Sequence, residues 1–324
     1  MPDRLRVLEL FCGIGGCAAA LGTRAAVVAA VDVNRKALAV YEHNFPHPTC
    51  AKDVTSLRAN AFSSWEAELW WLSPPCQPYT RRGRQRDVAD PRAAGLLSLL
   101  PQIAAFRPPY VALENVPGFE QSRCHALLRE VLDRAGYETC HWLLCPTELG
   151  VPNLRRRYYL VASRRGLVQR QLWGDGPVWP SRADRGPDSR PGLEVSQYRP
   201  AFRIRDILDA QPDESLWLPA DRAAQYQRAF DLVDPHDPLA LTTCFTAGYG
   251  RALVRSGSYL VTPRGPRRFS PREILRLLCF PPEFSFPPGL NAREAWPLVG
   301  NSLSIAAVRH VLRAVPELSL LEAA

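Results

Sequence analysis

An apolar hexapeptide, LRVLEL at residues 5–10, runs directly into the glycine turn FCGIGG and then into the alanine-rich stretch CAAALGTRA. Strand, tight turn and helix in that order make a βα unit. A second apolar run, AVVAAVDV, follows and ends at Asp32 and Val33, and RKALAVYEHNF reads as the next helix. A strand that recurs after a helix-length insert feeds a parallel sheet. The pattern continues with strands at LWWL (69–72), YVAL (110–113) and RYYLVAS (157–163), and a helix over Leu127–Ala135. The expected fold class is α/β, a doubly wound and mostly parallel sheet. In such sheets ligands bind in the loops beyond the carboxyl ends of the strands.

Residues 165–200 break this texture, being rich in Pro, Gly, Arg and Ser with little periodicity. A domain boundary is expected near residue 175. Residues 1–175 plus 294–324 would form the larger domain, with the helical tail SIAAVRHVLRAV packing back on it, and 176–293 a smaller, irregular one. A length of 324 residues with 46% hydrophobic composition supports a sizeable core. No apolar run approaches the ~18 residues of a membrane span, and MPDRLRVLEL has no secretory core, so a soluble chain without membrane contact is expected. Nine cysteines without a Cys-x-x-Cys pair point to reduced thiols and no metal site.

Two regions carry chemistry. At the first, the glycines of FCGIGG let a ligand approach the backbone at a helix start. Asp32, 19 residues beyond Gly13, suits a ribose diol, and Asp53 suits an adenine amino group. This stretch taken by itself fits a nicotinamide cofactor equally well, since Gly-Ile-Gly-Gly is not the full dinucleotide spacing.

The second region is SPPCQPYTRRGRQRD, residues 73–87. Pro74 and Pro75 stiffen the chain before Cys76. Arg81, Arg82 and Arg84 would favour its thiolate, the nucleophilic form. A lone cysteine is more often buried and inert, but two prolines, a Gln and an arginine run argue against a plain core position. In LENVPGF, Glu114 lies at the end of an apolar strand, where a carboxyl of raised pKa can act as an acid. In PNLRRRYYLVAS, Arg155 and Arg157 alternate and share a face, with Arg156 on the solvated side. The net charge of +8 suits a polyanionic partner. With Lys36 and Lys52 the only lysines, an arginine-biased genome explains the same surplus.

Together these segments resemble the cytosine-5 methyltransferase family, in the family's order. FCGIGG is similar to its cofactor motif, SPPCQ to its nucleophile loop and LENV to its Glu-Asn-Val motif. NLRRR is similar to its Gln-x-Arg-x-Arg motif, with Asn153 at the Gln position, and LVGNS (298–302) to its last motif. Cys244-Phe245-Thr246 resembles the marker of one branch, the DNA-methyltransferase homologues regarded as tRNA-aspartate methyltransferases. VYEHNFPHP and residues 267–287 also resemble that branch, whereas residues 166–235 match poorly. Where the branch has Gly-Thr-Gly-Ser, this chain has Arg255-Ser256-Gly257-Ser258.

The resemblance implies a Rossmann-like S-adenosylmethionine methyltransferase sheet with a small target-recognition domain. It implies S-adenosylmethionine as cofactor and S-adenosylhomocysteine as product. The cofactor would be held by Phe11, Gly13, Ile14, Gly15, Asp32, Val33, Asp53, Val54, Ser73, Pro75, Asn301 and Ser302. Gln77, Asn115, Arg81, Arg82, Arg84, Cys244, Phe245 and Thr246 would contact substrate. It assigns Cys76 to attack on carbon 6 of cytosine and Glu114 to ring nitrogen 3. Arg155 and Arg157 would hold the base or its phosphate. An anticodon-loop cytosine, position 38 of tRNA-Asp, is the expected target, because an unpaired base everts at least cost. DNA cytosine-5 methylation, as in a restriction-modification system, is the alternative. A cytoplasmic monomer is expected, or a nuclear protein in a eukaryote.

Overall fold

The computed structural model describes residues 4–79, 87–168, 199–226 and 228–321. The chain opens with β1 (Leu5–Leu10), α1 (Gly16–Leu21), β2 (Ala25–Val31), α2 (Arg35–Asn44), β3 (Thr49–Cys50), α3 (Ala59–Trp65) and β4 (Leu69–Leu72). It continues with α4 (Ala94–Phe106), β5 (Tyr110–Asn115), α5 (Arg123–Arg134), β6 (Glu138–Leu144), β7 (Asn153–Leu154) and β8 (Arg157–Ser163). Seven strands form one sheet in the order β3-β2-β1-β4-β5-β8-β6. β3, β2, β1, β4 and β5 pair in parallel, and β8 lies antiparallel between β5 and β6. This is the expected doubly wound, mostly parallel sheet.

Its two faces follow from strand periodicity. Adjacent residues of a strand point to opposite sides, so Trp71 packs with α1 and α2 while Trp70 packs with α3, α4 and α5. β4 and β5 are buried along their whole length, as strands covered on both faces must be. The helices start where local chemistry satisfies their first amides. The Asn34 side chain accepts from the amides of Lys36 and Ala37 ahead of α2, and Ser122 accepts from His125 ahead of α5. That cap starts α5 four residues before the expected Leu127. β5 likewise runs two residues past YVAL, because Glu114 and Asn115 pair with Tyr159 and Tyr158 of β8.

The remaining elements are short: α6 (Ala220–Tyr226), β9 (Leu232–Val233), β10 (Thr242–Thr243), β11 (Tyr259–Leu260), β12 (Arg267–Arg268), α7 (Pro271–Leu277), α8 (Ala292–Gly300) and α9 (Ile305–Leu312). β9, β11 and β12 form a small sheet, and β10 pairs in parallel with β7. Phe245, Tyr249, Tyr259, Phe269 and Trp296 belong to the same apolar cluster as α1 and α9. α9 is fastened to α1 by Arg309 Nε, which donates to the Ala20 carbonyl at 3.1 Å. The boundary expected near residue 175 lies outside the described residues. Among the described residues no helix is long and apolar enough to cross a membrane, and no group of three or more His, Cys, Asp or Glu is placed to hold a metal.

Candidate active site

Strand order reverses between β1 and β4, which opens a crevice at the carboxyl edge of the sheet. Leu10, Leu72 and Leu113 stand in register across β1, β4 and β5, so the residues that follow them, Phe11, Ser73 and Glu114, reach that edge together. Asp32 follows β2 on one side. On the other, β8 runs antiparallel, so its first residue, Arg157, arrives at the same edge opposite Leu144. The sheet thus gathers the expected cofactor turn, the cysteine loop, the Glu-Asn-Val carboxyl and the arginine motif on one rim.

The glycine turn is held tightly. Phe11, Gly13 and Gly15 all have positive φ (58°, 55° and 90°), and a Cβ on Gly15 would collide with the Phe45 and Tyr41 rings at 2.5 and 2.9 Å. A phenylalanine in the left-handed region is strained, and such residues cluster where a backbone is shaped for a ligand. Asp32 accepts from the Gly13 amide at 2.8 Å and from the Asn34 amide at 2.7 Å, tying the turn to the start of α2. Beneath the turn Glu9 is fully buried, accepting from the Cys17 amide at 3.1 Å and from the Tyr41 hydroxyl at 3.2 Å. Burial pushes its carboxyl up to about 8. Glu9 was not foreseen. Its signal was an acid inside an otherwise apolar strand.

The site fits a nucleoside cofactor. A Cβ on Gly13 would meet nothing within 4 Å, leaving open space over the turn. Val33 is 68% exposed, an unpartnered apolar surface beside Asp32. The Ser302 hydroxyl is buried without a partner among the described residues. Asp53 is exposed and held below the usual carboxylate range by the Thr55 hydroxyl and amide. Val54 and Ile14 are core side chains, so only the backbone of Ile14 is open to a ligand. Ser73 and Pro75 are half-buried at the crevice, and Asn301 is exposed at the end of α8.

Cys76 sits on a loop pinned from both sides. The Ser73 amide donates to the Leu10 carbonyl at 3.2 Å, Asn115 Nδ2 to the Pro74 carbonyl at 3.1 Å, and the Tyr79 amide to the Cys76 carbonyl at 3.0 Å. Asn115 is therefore a loop fastener. At 1% exposure, with its Oδ1 taken by the Val116 amide, it has no free surface for the substrate contact expected of it. Gln77 is exposed beside Cys76. Arg81, Arg82 and Arg84 lie outside the described residues.

Among the described residues the main cations acting on the Cys76 thiol are Arg157 and Arg155. Burial outweighs them and, with the nearby Glu114 carboxyl, holds the thiol above its usual range. Glu114 pairs with Arg157 at 3.2 Å, and burial raises its pKa against the pull of Arg157 and Arg155. A half-buried thiol and a buried acid, both with raised pKa and both acted on by the Arg157 guanidinium, form a set whose protons can be moved.

Arg155 and Arg157 converge on Cys244, with Nη atoms 3.3 and 3.5 Å from its sulfur. Burial raises the Cys244 thiol, but the two guanidiniums outweigh it and draw the pKa below normal. Arg155 also donates to the carbonyls of Phe245 at 3.0 Å, of Gly300 at 3.2 Å and of Ser302. It is 3% exposed, and both Nη groups donate internally while Nε has no partner among the described residues, so it fastens the Cys-Phe-Thr and Leu-Val-Gly-Asn-Ser segments together. Gly300 permits that closure: a Cβ there would stand 2.4 Å from the Thr246 backbone. Asn153 completes the lock by donating to Thr242 Oγ1 at 2.9 Å and the Thr243 carbonyl at 3.1 Å. The Phe245 ring is 2% exposed and packs on Tyr249 and Phe269, so it is core and not the expected substrate contact. Thr246 is exposed and Cys244 half-buried at the rim.

The family described as C-5 cytosine-specific DNA methylase matches residues 5–229 and 220–317. The tRNA (cytosine(38)-C(5))-methyltransferase of Bos taurus is 31% identical over 389 aligned residues, covering 96% of this chain and 99% of that protein. A DNA (cytosine-5)-methyltransferase of Dictyostelium discoideum is 27% identical, covering 96% and 94%. Among solved structures, the S. pombe Dnmt2 methyltransferase superposes with a TM-score of 0.77 at 29% identity, covering 96% of this chain and 97% of that one.

Proposed function

The chain belongs to the C-5 cytosine-specific DNA methylase family, and from that premise we propose that it methylates cytosine 38 in the anticodon loop of tRNA-Asp through a covalent bond to Cys76. It is an S-adenosylmethionine-dependent cytosine-5 methyltransferase. The observation that carries the finer reading is the convergence of Cys76, Glu114 and Arg157 on the rim that bears the glycine turn. Near full-length similarity to a tRNA cytosine-38 methyltransferase favours tRNA over DNA.

The Gly13 turn, Asp32, Val33, Asp53 and Ser302 would hold the cofactor. When bound, S-adenosylmethionine supplies an electrophilic methyl on a sulfonium centre and departs as S-adenosylhomocysteine. Cys76 gives up its proton to a solvent base, and its sulfur forms a bond to carbon 6 of the cytosine. The carbon 5–carbon 6 π electrons then shift, aided by Glu114 donating a hydrogen bond or proton to ring nitrogen 3, and carbon 5 becomes nucleophilic. Arg157 orients Glu114. After carbon 5 takes the methyl, a solvent base removes the carbon 5 proton. The sulfur–carbon 6 bond breaks and its electrons return to Cys76.

The test supplies methyl-labelled S-adenosylmethionine with a tRNA-Asp transcript or a duplex DNA. Label on the tRNA at cytosine 38 is expected, and label on DNA only would overturn the substrate assignment. A transcript with 5-fluorocytosine at position 38 should trap an adduct on Cys76, because fluorine cannot leave as a proton. A turning-over enzyme that forms no adduct would overturn the covalent step.

A further inference from the structure

One stretch of the chain carries much of its net positive charge. Between Asp237 and Glu273 no acidic residue occurs, while Arg251, Arg255, Arg264, Arg267, Arg268 and Arg272 do. Six charges of a net +8 therefore sit in this one stretch. Several are already committed. Arg267 is buried against Glu273 at 2.8 Å, Arg264 pairs with Glu214 over the Trp217 ring, and Arg268 lies over the Trp296 ring at 5.8 Å. Arg251 is exposed and donates to the Ala247 carbonyl at 3.2 Å.

Arg255 differs from these four. It is exposed, and among the described residues its guanidinium makes no hydrogen bond or ion pair. Its φ is 59°, in the left-handed region that a residue with a Cβ enters at a cost. Glycine, which the branch pattern has at this position, would enter it freely. The loop that carries Arg255 is closed at its base. The Thr246 amide donates to the Ser256 carbonyl at 2.9 Å, and Ser256 Oγ donates to the Ala252 carbonyl at 2.7 Å. Thr246 is two residues from Cys244, the sulfur under Arg155 and Arg157. A cation with a strained backbone and no partner among the described residues thus sits on a hydrogen-bonded loop tied to the Cys244–Thr246 segment of the candidate active site.

We propose that Arg255 contacts a backbone phosphate of the RNA and seats the target loop against Cys76 and Glu114, a role that rests on the tRNA reading above. A guanidinium is suited to this, since its planar donor fork matches a phosphate and stays charged at any working pH. Charge on a rigid, outward loop releases condensed counterions on binding without ordering a new segment.

The experiment compares full-length parent, Arg255→Gly and Arg255→Lys. It measures steady-state methylation of a tRNA-Asp transcript, and binding of that transcript by fluorescence anisotropy across a salt series. Arg255→Gly, which takes the local conformation without strain, should fold with an unchanged or raised Tm. Its KM and Kd for the transcript should rise about tenfold, the loss falling in KM and not in kcat. The slope of log affinity against log salt should drop by roughly one phosphate contact. Arg255→Lys should keep that slope. An Arg255→Gly enzyme with parental Kd and salt slope for the tRNA would overturn the inference, as would an effect seen with duplex DNA only. A parent that binds the transcript in an Arg255-dependent way yet transfers no methyl to it would refute the tRNA methylation reading instead.

Discussion

Glu9 offers a test of how the cofactor turn is built. The carboxyl is fully buried and accepts from the Cys17 amide and the Tyr41 hydroxyl, and Tyr41 is 3.0 Å from His47 Nδ1. With Glu9 protonated, the chain closes without a charge: Glu9 donates to Tyr41, and Tyr41 donates to a neutral His47, whose pKa burial lowers. The folded carboxyl titrates at about 8, against 4.5 when unfolded. Between those values the folded state holds a proton that the unfolded state lacks. The contribution of Glu9 to stability is therefore complete below pH 4.5 and falls as pH rises toward 8. At 1.36 kcal/mol per unit the whole loss is about 5 kcal/mol. In Glu9→Gln the amide oxygen still accepts from Cys17 and the amide nitrogen donates to Tyr41, which reproduces the neutral chain without a titratable group. Urea unfolding of parent and variant from pH 5 to pH 8 should show the parent losing stability relative to Glu9→Gln by about 1 kcal/mol per pH unit, with the variant the more stable at pH 8. Parallel stability curves for the two proteins would show that Glu9 is ionised in the fold, and the reasoning would fail.

The other expectations concern the rim. Glu114→Gln should lower kcat by about a hundredfold or more with little change in S-adenosylmethionine affinity, the usual effect of losing a positioned acid; parental turnover would remove Glu114 from the chemistry. The raised pKa of Glu114 keeps its proton available to higher pH than an ordinary glutamic acid, so activity that depends on that proton falls as pH rises, a limb that the Gln variant should lack. Arg155→Met leaves the carbonyls of Phe245, Gly300 and Ser302 without their donor, which should cost roughly 3–5 kcal/mol in thermal or urea unfolding. An Arg155→Met protein as stable as the parent would show that the lock carries no load.

Much of the site was legible because the edge of a parallel sheet is set by strand ends, and strand ends can be read from apolar runs that stop at Gly, Pro or an acid. LRVLEL, LWWL and RYYLVAS coincide with β1, β4 and β8 residue for residue. The misreadings have one cause: a side chain's partner across the fold does not show in its own segment. Asn115 looked like a substrate contact until the Pro74 carbonyl took its amide, and Phe245 until Tyr249 and Phe269 enclosed its ring. The Cys76 thiol shows the same dependence on the whole rim. Among the described residues burial, which depends on the whole rim, raises its pKa against Arg157 and Arg155.

The same geometry gives Arg155 and Arg157 different tasks despite their alternation. Both reach Cys244, but only Arg157 also touches Glu114, while Arg155 holds the carbonyls of two distant segments. The Cys244 sulfur is the partner they share, so it links the Cys-Phe-Thr segment to the guanidinium paired with Glu114. The Cys-Phe-Thr segment is thus tied through Arg155 to Gly300 and Ser302 and through Arg157 to the Glu114 carboxyl, so a substitution that loosens Arg155 should be felt at Glu114 although the two side chains share no hydrogen bond.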